Sequence, residues 1–65
     1  MKPESMISTS AEDLRSSMEC ALMHDPAKAL EDACHGLIAM AGKTGMSSKR
    51  AVLGTCIRKA VKLLE

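Results

Sequence analysis

Not one of the 65 residues is Phe, Tyr or Trp. Aromatic rings are the largest apolar groups a chain can bury, so any core must be assembled from Leu, Ile, Val, Met, Ala and Cys. A chain this short makes one domain, and a single aliphatic core at that size barely offsets the conformational entropy lost on folding. Self-association buries more of the same side chains and widens the margin. The expectation is a homodimer or larger assembly, or a chain that completes its fold on a partner.

Periodicity points to an all-α fold with three short helices, over about residues 10–23, 26–41 and 47–64. Residues 1–8 show no periodicity and read as a flexible N-terminal tail, anchored at most by Met6 and Ile7, ahead of a single small helical domain over residues 9–65. Thr9 and Glu12 have capping-box spacing at the start of the first helix. Ala11, Leu14, Met18, Ala21 and Leu22 then form its apolar stripe, leaving Ser16, Ser17, Glu19 and Cys20 outside.

His24-Asp25-Pro26 ends that helix, because Pro26 disfavours helical geometry at Asp25 yet suits the first position of a new helix with Asp25 as its N-cap. The second predicted helix carries Ala27, Leu30, Cys34, Leu37 and Ala41 in heptad spacing, widened by Ala33, Ile38 and Met40, with Glu31 and Asp32 off the stripe. Gly42 is placed to cap it, and Gly42-Lys43-Thr44-Gly45 reads as a turn. Ser47 or Ser48 would cap the third, whose apolar arc includes Val52, Leu53, Cys56, Ile57, Ala60, Val61, Leu63 and Leu64. These two arcs are wider than one intramolecular contact requires. The helical hairpin is therefore expected to assemble into a dimeric or higher-order bundle, with its seam on Leu30, Cys34, Leu37, Ile38, Ala41, Leu53, Ile57, Val61 and Leu64.

Charge is split at Gly42. Residues 1–41 carry seven acidic and three basic side chains, residues 42–65 one and six, inside a net charge of +1. Opposite charge on the two halves can align a hairpin or two protomers, steering association more than supplying its strength. The basic face of Arg58, Lys59 and Lys62 could instead meet phosphates, although no aromatic platform exists on which bases could stack.

Reaction chemistry finds little support. Gly36 to Thr44 has five residues between its glycines where a phosphate loop needs four. Cys20, His24, Cys34 and His35 could be imagined as a zinc set, but Cys34 falls within the apolar stripe and His35 about 100° away on the polar side beside Glu31. Three cysteines cannot all pair within one chain, and free thiols suit a reducing cytosol. The longest apolar run, Leu37 to Ala41, is too short to cross a bilayer. No catalytic residue, metal or cofactor is expected.

Residues 38–54 resemble a helix-turn-helix in part. Ala41 and Gly45 stand four apart, Met46 follows as the apolar residue, and Ser47, Ser48, Lys49 and Arg50 would open a recognition helix. Val52 and Leu53 would then face DNA, and Gly54 would occupy a position usually held by a large aliphatic side chain. The preferred expectation is a non-enzymatic, cytoplasmic, helical protein-interaction or regulatory protein acting as a homo-oligomer, of the inhibitor, antirepressor-like or adaptor/chaperone-like kind, that binds itself and a further protein. The alternative is a small DNA-binding transcriptional regulator using Ser47, Ser48, Lys49 and Arg50.

Overall fold

A computed structural model describes residues 2–65, and among them the fold is all-helical, with no strand. Four helices follow one another: α1 (Pro3–Ser8), α2 (Ala11–His24), α3 (Pro26–Met40) and α4 (Ser47–Leu64). α3 and α4 form a hairpin with the most extensive contact in the molecule, α2 lies against both, and α1 packs on α3. Among the described residues no helix is long and apolar enough to cross a membrane.

The expected tail is corrected first. Residues 3–8 form a helical turn and a half begun by Pro3, whose lack of an N–H costs nothing at a helix start. Met6 on it is completely buried. Met1 lies outside the described residues. Thr9 therefore closes α1, its hydroxyl donating to the Ser5 carbonyl at 2.6 Å, and Ser10 rather than Thr9 opens α2 by accepting from the Asp13 N–H at 3.2 Å. Asp25 caps α3 as its position before Pro26 predicts, accepting from the Lys28 N–H at 3.1 Å. Gly42 and Gly45 both adopt positive φ, 78° and 73°, so the turn between α3 and α4 uses the two residues that enter this region without steric cost. Neither Ser47 nor Ser48 caps α4, because the helix-opening position falls on Met46, which has no side-chain acceptor to offer.

The core consists of Met6, Leu14, Met18, Leu22, Ala29, Ala33, Met40, Leu53, Cys56 and Ala60. On α2 the buried set, Leu14, Met18 and Leu22, belongs to the expected stripe. On α3 it does not. Ala29, Asp32, Ala33, Gly36 and Met40 are buried, so the inward face is displaced by one residue from the expected Leu30, Cys34, Leu37 and Ala41. One residue is about 100° of helix rotation. Cys34, expected as a buried thiol, is exposed, and Cys56 is the buried cysteine. Asp32, expected on the polar side, is only 8% exposed.

Gly36 shows why the small residues face inward. A Cβ built there would overlap the Met6 sulfur and stand 2.9 Å from Leu53 Cδ1. Ala29, Ala33 and Gly36 make a shallow inner surface on α3, and the long side chains of α1 and α4 fill the space it leaves. Turning Leu30 and Leu37 inward instead would hold those helices apart. Both lie half-buried at the border of the core.

Candidate functional site

Measured by 100° steps from Leu53, the largest fully buried side chain of α4, Leu64, Ile57 and Val61 lie about 20–80° to one side. On α3, Leu37, Leu30, Ala41 and Cys34 lie about 40–100° from buried Ala33 in the same rotational sense, and Ile38 lies farther round. The two helices run in opposite directions, so these sets border one outer face of the hairpin. Leu30, Leu37 and Ile57 are half-buried there, Cys34 and Ala41 exposed, and Ile38, Val61 and Leu64 are 72%, 45% and 47% exposed. Eight of the nine expected seam residues therefore remain at the protomer surface.

Leu53 is the exception and a correction. It is completely buried among α1, α3 and α4, within reach of Gly36, and cannot meet another molecule while the protomer stays folded. The wheel of α4 alone places Leu53 in the middle of a broad apolar arc. Only the presence of α1 and the shallow inner surface of α3 decide that the middle of that arc is consumed internally.

The four residues of the alternative reading separate into two pairs. Ser47 and Ser48 are exposed. The Lys49 ammonium donates to the Ile7 carbonyl at the end of α1, and the Arg50 guanidinium donates to the Met40 carbonyl at 2.9 Å and to the Lys43 carbonyl. Both cations thus tie chain ends together, α1 to α4 and the C-terminal end of α3 to the start of α4. Carbonyls left over at a helix C-terminus attract cations, and here the cation comes from the next helix. Leu53 is fully buried and turns inward, and Val52 is half-buried at the edge of the core beside α2.

Asp32 is the buried charge that sequence reasoning missed. The Lys28 ammonium, one turn earlier, donates to its Oδ1 at 3.2 Å. Burial pulls the Asp32 carboxyl upward, but hydrogen bonding and positive charge, with Lys28 foremost, outweigh it and hold the group below the ordinary aspartate range. The i, i+4 spacing from Lys28 is the signal that sequence could have used. Because the unfolded chain binds this proton more readily, the stabilisation is present at neutral pH and lost as pH falls through the lowered folded value. Asp32→Asn is therefore expected to unfold at a lower temperature than the wild type at pH 7, with the gap closing in strong acid. Thermal unfolding of both proteins across the acid range checks it, and a gap that does not change with pH contradicts it.

Burial likewise pushes the Cys56 thiol up, which keeps it protonated and a poor nucleophile. Cys20, Cys34 and Cys56 form no disulfide. Among the described residues no three His, Cys, Asp or Glu side chains converge as metal ligands, and no buried side-chain nitrogen or oxygen lacks a hydrogen-bond partner. No protein-family model, curated protein or solved structure matches the chain.

Proposed function

We propose that this chain is a non-enzymatic helical protein that works by protein–protein association, assembling with itself through the outer face of the α3–α4 hairpin and acting as a small cytoplasmic regulator of the inhibitor, antirepressor-like or adaptor/chaperone-like kind. The observation that carries the reading is the set of aliphatic side chains left on the outer side of the hairpin, half-buried Leu30, Leu37 and Ile57 with exposed Ile38, Val61 and Leu64. Large aliphatic side chains gathered on one face gain from leaving water together. A 65-residue chain whose core holds no aromatic ring gains stability from the same step. Beyond the apolar positions lie Glu31 on α3 and Arg58 and Lys62 on α4, all exposed. A two-fold axis that sets α3 of one copy against α4 of the other brings acidic rim beside basic rim.

Sedimentation across a range of protein concentration tests the proposal. The wild-type chain is expected to associate at micromolar concentration, and Val61→Asp to dissociate it while retaining helical content, since Val61 contributes nothing to the protomer core. A wild-type chain that stays monomeric at those concentrations overturns the self-association. Tight, salt-dependent binding of duplex DNA by Ser47, Ser48 and neighbouring backbone would favour the nucleic-acid reading instead.

A further inference from the structure

A second apolar surface lies on the opposite flank of α4. Val52, Lys59 and Leu63 fall about 80–120° from Leu53 on the side away from Ile57 and Val61. There α4 runs beside α2 in the same direction. Ala11 and Glu12 stand level with Ser48, and Leu22 and Met23 level with Lys62 and Leu63. Three clefts line the space between the two helices, adjoining one another at Arg15 and Val52 and at Glu19, Leu22 and Lys59, and together they form a trough beside α2 from Ala11 to Met23. Its floor is formed by Met18, Leu22, Val52 and Cys56. At its C-terminal end Met23 is 87% and Leu63 61% exposed, and neither belongs to the protomer core.

We propose that this trough receives an amphipathic α-helix of a second protein, carrying carboxylates on the flank that faces α4. The central cleft, about 410 Å³, is large enough for a small molecule. A small-molecule site, however, needs fixed polar groups converging on the ligand, and no side-chain nitrogen or oxygen here is buried and waiting for a partner. A trough between two helices that run side by side matches the other common occupant, a third helix seated by residues at i, i+3, i+4 and i+7. The thioethers of Met18 and Met23 can repack around such side chains. The rim supplies the charge preference. Lys59 and Lys62 make the α4 rim wholly cationic towards its C-terminal end, opposed by Glu19 alone, while Glu12 and Arg15 offset each other at the far end. This inference rests on the reading of the chain as an interaction protein, and it assigns the foreign partner to the flank of α4 opposite the self-association seam, with Lys62 on the ridge between the two.

The test uses the isotope-labelled 65-residue chain and two synthetic 18-residue amphipathic helices, each with Leu and Met at i, i+3, i+4 and i+7, one flanked by Glu and the other by Lys. At low salt the Glu-flanked peptide is expected to shift the backbone amide signals of Met23, Val52, Lys59 and Leu63, and to bind about tenfold more tightly than its Lys-flanked twin. Lys59→Glu with Lys62→Glu, both at exposed positions, should invert that preference. Val61→Asp should bind the Glu-flanked peptide as the wild type does, so failure of the seam and failure of the trough are read separately. No binding, equal binding of both peptides, or shifts confined to the α3–α4 face would overturn the proposal. Movement of the trough signals on dilution without peptide would identify a second copy as the occupant and overturn it too.

Discussion

Leu53→Ala is expected to destabilise the folded chain by about 2–5 kcal/mol, the usual cost of removing a large aliphatic side chain from a filled interior and leaving a cavity. Leu53 is completely buried, and its Cδ1 lies against the backbone of α3 at Gly36, beside the Met6 side chain of α1. Truncation there loosens three helices together. At about 0.05–0.15 kcal/mol per residue, a chain of this length has only about 3–10 kcal/mol of stability, so the variant should be largely or partly unfolded at moderate temperature. Urea unfolding followed by circular dichroism, with both proteins at one concentration because association adds to apparent stability, gives the difference directly. The contrast with Val61→Asp is the informative part. One variant should lose the protomer, the other only its partner. A loss below about 1 kcal/mol for Leu53→Ala would mean that Leu53 is far less enclosed than described.

Gly36→Leu is expected to have an effect of similar size by the opposite means. Its Cβ alone would overlap the Met6 sulfur, and the rest of the side chain has no space between α1 and α4. Overpacking a filled interior costs about 1–3 kcal/mol. The simplest relief is for α1 to leave α3, which exposes Met6 and forfeits its burial as well. Amide exchange and protease cleavage within Pro3–Ser8 should therefore rise sharply in this variant. Gly36→Ala should do less, because alanine's advantage in a helix, up to about 1 kcal/mol, offsets part of the clash. Gly54→Ala is the control. A Cβ at Gly54 meets nothing closer than an Arg58 guanidinium nitrogen at 3.9 Å, so that substitution should stabilise α4. Should Gly36→Leu prove as stable as the wild type, with α1 still protected, the close approach of α1 to α3 would be refuted.

Much of the architecture is legible without coordinates. Asp25-Pro26 marks the boundary between α2 and α3, Gly42 and Gly45 mark the turn before α4, and the stripe on α2 names Leu14, Met18 and Leu22. Each of these rests on a local rule: a fixed proline φ, a glycine at positive φ, or an apolar repeat with one neighbour to meet. α1 escaped because six residues are too few to show a helical period, and its one informative residue, Met6, could equally have anchored an extended tail. The boundary at Thr9 and Ser10 moved by one residue for the same reason, since a helix closing at Thr9 takes its hydroxyl.

The inward face of α3 was legible only in part, through Ala33 and Met40. Its sequence offers two faces, a heptad of larger residues at Leu30, Cys34, Leu37 and Ala41 and a set of small ones at Ala29, Ala33 and Gly36. A rule that weighs apolar bulk chooses the first. The folded chain buries the second, because what a helix contributes to a core depends on the volume its neighbours bring, and Met6 of α1 and Leu53 of α4 already supply it. That rotation carries the functional reading with it. It leaves Leu30, Leu37 and Ile38 towards the surface, draws Leu53 inside, and buries Asp32 beside Lys28.

The sequence by itself determined that this is a helical chain with no aromatic core, where its longer helices begin and end, and that those helices carry more apolar surface than one small protomer hides. These follow from side-chain chemistry and short-range geometry. Tertiary structure alone decided which part of that surface is spent on the core and which is left exposed. Burial is settled by competition among faces for a shared, limited volume, and no single helix carries the information to settle it.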